Sequence, residues 1–284
     1  MTVVQTHYYH NAEILRALVQ QMEGREGAFL AHIQGESVCK RSFVIRTEND
    51  LQSALNSFSL SVKPLSLPAV LSSVESYRDI HKLDQLGVTL RTDWDFIIDV
   101  DSTDGTLKGP TECVKGIAHL LSKIGFNSFK IKFSGMKGFH VIIPSGCFKL
   151  TKTIIDKAKW VQSYPSLPKL LAAFIQAHLP KKALENVKID IANFYTPRRL
   201  VRLAYSMHDE SRLVSLPLQM SDLADFHPEN ARPDNVRKLD WDWLGFKGGA
   251  ENADVLLEAA FEWKSYVDKA IEKREHEHKI SKGK

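Results

Sequence analysis

The pattern of apolar and polar positions along the chain predicts a mixture of helices and strands. Apolar side chains recur at helical spacing in residues 11–22, and helical patterns also cover residues 49–59 and 66–77. Between the first two helices, Gly27 and Gly35 punctuate short apolar runs, which favours a β-hairpin. The first part of the chain is therefore predicted to be an α/β section.

The middle of the chain predicts one half of a ferredoxin-like sheet. An apolar strand that ends in two acids is followed by a helix, with Thr111 as its N-cap and Gly125 as its stop. Two more strands follow, joined by a tight Gly-x-x-Gly turn. The predicted elements are strand 94–101, helix 111–124, strand 128–134, turn 135–138 and strand 139–143. In this order they form a βαββ unit.

The remaining elements are predicted as helix 166–179, strand 187–191, a motif-bearing segment 198–208, a turn-rich stretch 210–250, helix 251–276 and a polar tail 277–284. We therefore expect a core of residues 1–250, divided into sections 1–92 and 93–250, and a C-terminal helix with its tail, 251–284. The apolar stripe of the last helix fits packing onto the core, and docking of a partner protein is the alternative.

Composition narrows the class of protein without identifying a function. Of the 284 residues, 43% are apolar and 25% are charged, which excludes collagen, coiled-coil and disordered chains. The net charge of +4 permits contact with nucleic acid but does not require it. No apolar run is long enough to span a membrane, and no signal-peptide pattern is visible, which predicts a cytoplasmic protein without membrane contact. The spacing of Cys39, Cys113 and Cys147 predicts neither a disulfide framework nor a structural zinc site.

Asp99 and Asp101 are the first candidates for chemistry. Alternate residues of a strand point to the same face, about 6.6–6.8 Å apart, so the two carboxylates repel each other unless a cation lies between them. Mg²⁺ takes such ligands, and a third acid would complete a two-metal site of the kind that polymerases use. The alternative is a strand that runs out into an acidic surface turn.

The segment SGMKGFH, residues 134–140, is the second candidate. Gly135 and Gly138 allow backbone N–H groups to approach an anion closely, and Lys137 adds a positive charge. Ser134 and His140 flank the turn and can donate hydrogen bonds to phosphate oxygens. The alternative is an ordinary hairpin with a flexible tip.

A third cluster begins with Asp190, which ends a short apolar strand. Arg199 and Arg202 follow in apolar surroundings, where burying an unpaired guanidinium is costly. They either bind an anion or form an internal salt bridge to one of the three acids, and Ser206 and His208 complete the cluster. Together the three clusters supply acids for metals and donors for a polyphosphate, which is what nucleotidyl transfer requires.

The order of these motifs resembles the archaeo-eukaryotic primase superfamily, and within it the small catalytic subunit of archaeal and eukaryotic primases. The matching segments are DFIIDVD, SGMKGFH, VKID, RRLVRLAYSMH and an N-terminal REGAF followed by Arg41-Ser42-Phe43. They span about residues 8 to 208. The segment from Asp99 to Pro144 is also similar to the polymerase domain of bacterial end-joining ligases, a sister family.

The resemblance implies an α/β (α+β) fold in which an RNA-recognition-motif-like sheet packs with the N-terminal α/β section. It also implies that Asp99, Asp101 and Asp190 hold two Mg²⁺ or Mn²⁺ ions. The residues that it implies for nucleotide binding are Ser134, Gly135, Lys137, Gly138, His140, Arg199, Arg202, Ser206 and His208, with Glu26 and Arg41 as further candidates.

The implied activity is template-directed nucleotidyl transfer by a DNA primase or primase-polymerase. Its partners would be a single-stranded DNA template, a primer strand, nucleoside triphosphates and a primase large subunit or another replication protein, in a nucleoid-associated location. The alternatives are a gap-filling polymerase of the end-joining branch, a non-polymerising nucleotide- or single-strand-binding module, and a metal-dependent phosphohydrolase.

Two features depart from the family pattern. Small primase subunits usually carry a zinc knuckle near the second motif, and the cysteine spacing here does not provide one. Met136 stands where the family often has a basic residue. A minimal plasmid-borne or repair-type member is therefore as consistent with the sequence as the replicative subunit.

Overall fold

The computed structural model describes residues 7–61, 67–150 and 155–282, and within them two five-stranded sheets are surrounded by helices. The α-helices of these residues are α1 (Ala12–Gln21), α2 (Glu48–Ser61), α3 (Leu83–Leu86), α4 (Lys108–Lys123), α5 (Lys157–Gln162), α6 (Ser166–His178), α7 (Ile191–Phe194), α8 (Trp241–Gly245) and α9 (Asp254–Lys282). Short 3-10 helices form several of the connections.

The first sheet contains the predicted N-terminal hairpin. Its strands are β1 (Arg25–Ile33), β2 (Glu36–Phe43), β3 (Ala69–Tyr77), β4 (Arg91–Trp94) and β9 (Leu200–Arg202). The order is β2-β1-β3-β4, and all pairs are antiparallel. Strand β9 shares an edge of β3 with β4: β9 pairs with residues 71–73 and β4 with residues 75–77. The hairpin turns at Gly35, whose φ of 87° lies in the left-handed region that glycine tolerates.

The helix predicted over residues 66–77 is wrong, because this segment forms β3. The strand pairs with β1 along one edge and with β4 and β9 along the other. Eight of its nine residues are buried, so both faces are covered and no polar–apolar alternation marks the strand. A continuous short apolar run of this kind cannot be assigned by periodicity alone. Residues 62–66, where the predicted helix begins, lie outside the described residues.

The second sheet is the predicted βαββ unit with two added edge strands. Its strands are β5 (Phe96–Ser102), β6 (Lys130–Phe133), β7 (Gly138–Ile143), β8 (Val187–Ile189) and β10 (Pro217–Leu218). They lie in the order β10-β6-β7-β5-β8, and every pair is antiparallel. The expected sheet of the RNA-recognition-motif type is therefore present, and its strand β5, between β7 and β8, carries the paired acids.

Helix α4 begins earlier than the sequence predicted. Thr111 was expected as the N-cap, but the helix starts at Lys108 after Leu107, which contributes no side-chain cap. Pro110 lies in the first turn. Backbone N–H groups make no intrahelical hydrogen bond there, so the N–H that proline lacks is not missed. The predicted stop is correct, since Gly125 follows the helix with a φ of 89°.

One continuous cluster of buried apolar side chains joins the two sheets. The start of α9 belongs to it through Leu256, Leu257 and Ala260, as does Ala253 just before the helix, whereas Tyr266 is 75% exposed. Helix α9 also extends through most of the predicted polar tail, to Lys282, because residues after 272 are mainly good helix formers. Among the described helices, none is both long and apolar enough to cross a membrane.

Candidate functional site

The antiparallel register of the second sheet brings the three predicted acids to one face. Asp99 pairs with His140 and Asp101 pairs with Gly138 across the β5–β7 ladder. On the other edge of β5, Val100 pairs with Ile189 of β8. Asp190, the next residue, therefore comes level with Asp99. The sequence separated these acids by about ninety residues, and the sheet makes them neighbours.

Each acid has its own basic neighbour. The distance from His140 Nε2 to Asp99 Oδ1 is 3.4 Å, which is long for a hydrogen bond. Lys137 Nζ lies 3.5 Å from Asp101 Oδ2. On β8, Lys188 Nζ is likewise 3.5 Å from Asp190 Oδ2. These contacts offset part of the repulsion between the carboxylates.

The surroundings shift the pKa values of Asp99 and Asp101 in opposite directions. Burial acts to raise the pKa of Asp99, but the contact with His140 and the charge of Arg199 outweigh it and hold the pKa below its usual value. Burial and the charge of Asp99 raise the pKa of Asp101, against the pull of Lys137. Burial also lowers the pKa of His140 to about 4, so its imidazole is neutral at pH 7. The favoured ionised group of the pair is therefore Asp99.

The donor set on this face fits a hard divalent cation. Asp99 Oδ1 is buried and has no hydrogen-bond partner, which is a costly state for a carboxylate oxygen. Carboxylate oxygens are the ligands that Mg²⁺ and Mn²⁺ prefer. Among the described residues, a separate group of ligand atoms within 4.8 Å of one another comes from His32, Asp209 and Glu210. Asp209 of that group is already paired with an arginine, as described below.

The turn at residues 134–138 is held in one conformation by close packing. Ser134 N–H donates to Gly138 O at 2.9 Å, which closes the turn. Gly135 has a φ of 104°, and a Cβ there would lie 3.1 Å from the Cβ of His208. The second predicted motif therefore packs directly against the segment that carries His208. Lys137, at the tip, is 47% exposed, so its amine, although near Asp101, is accessible to an incoming anion.

Arg202 forms the internal salt bridge that the sequence left as an alternative, but with an acid that the sequence analysis did not consider. Its Nη2 lies 2.8 Å from Oδ1 of Asp209, which is 4% exposed. Its Nη1 donates to Ser134 O at 3.0 Å, which joins β9 to the turn. Arg199 is held over the ring of Phe194, 4.6 Å from the ring centre. Both arginines keep a buried Nε without a partner.

Ser206 and His208 occupy different environments. Ser206 is fully buried, and its hydroxyl accepts a hydrogen bond from Val70 N–H at 2.7 Å, so it ties this segment to β3. His208 Nδ1 accepts from Glu210 N–H at 3.1 Å. Burial and the charge of Arg202 lower the pKa of His208 to about 4. The neutral ring therefore carries its proton on Nε2, which can donate to a ligand.

Glu26 and Arg41, the two further candidates, lie on β1 and β2 of the first sheet. Glu26 is fully buried and accepts two hydrogen bonds from Arg41, both 2.8 Å long. Arg198 adds a third strong contact, with its Nη2 2.7 Å from Glu26 Oε1. Although burial acts in the opposite direction, the two arginines lower the pKa of Glu26 to about 2.

Sequence reasoning missed Lys132, which lies behind His140 on the same face. It pairs with His140 across β6 and β7, is 2% exposed, and donates to Arg202 O and Ser215 Oγ at 2.8 Å each. Burial lowers its pKa well below the ordinary value. The available signal was the alternation in FKIKF, which places Lys130 and Lys132 on one face of the strand and apolar side chains on the other.

Comparisons with known proteins place this arrangement in a known fold. No protein-family model matches the chain. An uncharacterized protein of Methanocaldococcus jannaschii is 28% identical over 159 residues, which is 51% of this chain and 34% of that protein, so the match spans about a third of the relative. The polymerase domain of Mycobacterium tuberculosis ligase D, solved in complex with DNA, is similar in structure, with a TM-score of 0.50 and 16% identity over 89% of this chain and 86% of the other. The chain therefore shares its fold with that polymerase domain.

Proposed function

We propose that this protein is a template-directed nucleotidyltransferase of the primase-polymerase type. Three carboxylates share a face with a turn that can hold phosphate, and two arginines and two histidines surround them. A phosphohydrolase would need the acids but not this set of phosphate donors. The fold supports the same class of activity, although the fold alone does not assign it.

The observation that carries the proposal is the concentration of unsatisfied polar atoms around the acids. Six buried side-chain nitrogen or oxygen atoms of the described residues have no hydrogen-bond partner. Four belong to candidate site residues, namely Asp99 Oδ1, His140 Nδ1, Arg199 Nε and Arg202 Nε. Buried polar groups are otherwise almost always paired, so this cluster is best explained by a ligand that carries both a cation and an anion.

Asp99, Asp101 and Asp190 would hold two Mg²⁺ or Mn²⁺ ions. When bound, such ions lower the pKa of the attacking 3′-hydroxyl and neutralise the leaving pyrophosphate. Lys137 and Lys188 already neutralise part of the carboxylate charge, as their 3.5 Å contacts indicate. Binding of a divalent cation would therefore release these lysine side chains toward the nucleotide.

The triphosphate would bind over the surface that the 134–138 turn and the arginine segment form together. Lys137, Arg199 and the Nε2–H of His208 supply donors there. Arg202 also has a positioning role, because its guanidinium donates hydrogen bonds to Asp209 and to the carbonyl of Ser134. Ser206 supports the same segment from the core. These roles place charged donors where negative charge develops during nucleotidyl transfer.

The nucleic acid would be a single-stranded template with a primer strand, contacted mainly through phosphates. The similar ligase domain was solved with DNA, which supports this substrate class. It also favours a second candidate, gap filling of the end-joining type. A large subunit or another replication protein would be a further partner of the primase alternative.

A primer-extension assay tests the proposal. The purified chain is incubated with Mg²⁺ or Mn²⁺, each nucleotide type, and one of three DNA substrates: a primed template, an unprimed single strand or a gapped duplex. We expect metal-dependent incorporation on at least one substrate and none with Asp101→Ala. Synthesis on the unprimed strand identifies a primase, and preference for the gapped duplex identifies the end-joining type. A folded wild-type protein that incorporates nothing on any substrate would contradict the proposal.

A further inference from the structure

A cleft of about 460 Å³ separates the acid-bearing face of the second sheet from the first sheet. Its floor includes Ile97, Ile142 and Lys130, which form one row across β5, β7 and β6. The next row on the same face contains Asp99 and His140, since residues two apart on a strand share a face. The cleft and the acids therefore lie on one surface of the sheet.

The cleft combines cations with aromatic rings, and two carboxylates that also line it, those of Asp93 and Asp95, are paired with Lys157 and Arg25. Lys130 Nζ lies 4.5 Å from the ring centre of Trp243 and 5.8 Å from that of Phe246. Within the described part of the chain, no carboxylate oxygen comes within 4.0 Å of this amine. Lys247 adds a second positive charge at the rim, loosely paired with Glu23 at 3.8 Å. Burial lowers the pKa of Lys130 to about 8, so the amine is still mostly protonated at pH 7.

Two residues connect the cleft with the candidate site. Lys132 and Arg202 line the cleft, and their charges also lower the pKa of His140 beside Asp99. The backbone of Arg202 accepts the hydrogen bond from Lys132 that joins the two sheets here. A ligand in the cleft would therefore lie next to the residues proposed to hold the triphosphate.

We propose that this cleft binds a sugar–phosphate segment of single-stranded nucleic acid, the strand that runs to or from the acids. Lys130 and Lys247 contact its phosphates, and Phe246 provides an apolar surface for a base or sugar. Cations combined with aromatic side chains are the means by which proteins hold single strands without sequence preference. The volume is also within the range of pockets that hold a ligand of nucleotide size. The inference rests on the proposed function, because it names the strand on which that site acts.

The experiment measures the fluorescence anisotropy of a labelled single-stranded oligodeoxynucleotide, titrated with the full chain in the absence of nucleotide. Lys130→Gln is expected to raise Kd about 10-fold, which is the lower end of the effect expected for the loss of one charge-assisted hydrogen bond. It should also reduce the slope of log K against log salt by about 0.7, the value for one phosphate contact on a single strand. Lys130→Arg, which keeps the charge, should stay near wild type.

Lys264→Gln is the matched control, because this lysine lies on α9 and pairs with Asp268 away from the cleft. It should leave Kd unchanged. Mass-spectrometric footprinting with an amine-acetylating reagent gives a second readout that needs no variant. The oligonucleotide should protect Lys130 but not Lys264, whereas a nucleoside triphosphate should protect neither.

The outcomes separate this inference from the proposed function. If the wild-type protein extends primers but Lys130→Gln binds the oligonucleotide as tightly as wild type, the cleft assignment is overturned and the activity stands. If Lys130→Gln weakens only the binding of free triphosphate, the cleft holds a small anion and the inference is again overturned. Asp101→Ala should retain oligonucleotide binding, so its loss of activity tests the acids independently.

Discussion

Gly138 stands directly opposite Asp101 in the β5–β7 ladder, and a Cβ on Gly138 would lie 2.8 Å from Asp101 Oδ1. The same Cβ would collide with the carbonyl oxygen of Val100. The missing side chain thus leaves the space that the Asp101 carboxylate occupies. A single glycine in the second motif thereby sets the position of an acid in the first motif.

Gly138→Ala is therefore expected to impair both stability and activity. Overpacking of this kind typically costs about 1–3 kcal/mol of unfolding free energy, and here it also displaces Asp101. Urea unfolding and primer extension measure the two effects. Gly245→Ala is the matched control, since a Cβ at Gly245 meets no heavy atom within 4 Å. Wild-type activity in a folded Gly138→Ala protein would show that the close approach does not position the acid.

Removing the charge of Asp99 or Asp101 should change stability in opposite directions. Asp99 has a lowered pKa, so its ionised form is stabilised by its neighbours, and Asp99→Asn should lower the melting temperature. Asp101 has a raised pKa, partly through repulsion from Asp99, so Asp101→Asn should leave the melting temperature equal or higher. Thermal melts at pH 7 without divalent metal test this contrast.

The same two variants should lose activity together. Mutation of a residue that only contacts a metal ligand commonly lowers activity about 10–100-fold. Loss of a carboxylate that binds the metal itself should therefore lower activity more than about 100-fold. Asp104→Asn serves as control, because Asp104 lies in the turn after β5 and accepts hydrogen bonds from Thr106. If Asp101→Asn were as active as Asp104→Asn, the proposal that Asp101 binds a metal ion would be contradicted.

Arg202→Ala should destabilise the protein in addition to weakening nucleotide binding. It leaves the buried carboxylate of Asp209 without its arginine, and breaking a buried pair costs about 3–5 kcal/mol. The KM for nucleotide should also rise about 10–100-fold if the guanidinium contacts phosphate. The double variant Arg202→Ala/Asp209→Asn separates the two roles: we expect part of the stability to return while KM stays high. Recovery of both would mean that Arg202 serves only the salt bridge.

Much of the site followed from the sequence because its residues occupy regular positions in strands. Asp99 and His140 pair across β5 and β7, and the predicted strand–helix–strand–turn–strand order already puts these two strands in one sheet. The strand β3 did not follow, because full burial on both faces removes the alternation that identifies a strand. The early start of α4 at Lys108 also did not follow, because Leu107 provides no capping side chain that would mark it in the sequence.

The side-chain contacts between distant parts of the chain could not be predicted from the sequence for a different reason. Asp209 lies seven residues after Arg202 in a stretch of irregular backbone, so no periodicity indicates that the two side chains meet. Lys132 is stabilised inside the protein by a carbonyl of β9 and by Ser215, both distant in sequence. Such contacts arise from the packing of the two sheets, which local patterns do not encode. The metal identity and the division into domains stay predictions.

The stability contribution of Glu26 should depend on pH. Its pKa falls from 4.5 to about 2 in the folded protein, so the ionised carboxylate stabilises the fold above pH 4.5 and this contribution disappears as the pH falls toward 2. Glu26→Gln should therefore be less stable than wild type at pH 7, and the difference should narrow below pH 4.5. Urea unfolding of both proteins at several pH values tests this, and a gap that stays constant down to pH 2 would rule out the charge as its cause.

The two halves of helix α9 should respond differently to truncation. Leu256 and Leu257 are buried in the core, and each buried side chain of this kind contributes about 1.5–3 kcal/mol. A chain that ends at residue 249 should therefore aggregate or melt early. A chain that ends at residue 265 keeps Trp263, whose ring lies 6.0 Å from that of Phe174, and loses a segment in which Tyr266 is 75% and Ile271 49% exposed. It should melt close to the full chain and retain primer extension. A soluble, active chain ending at residue 249 would instead show that the whole helix is a docking element.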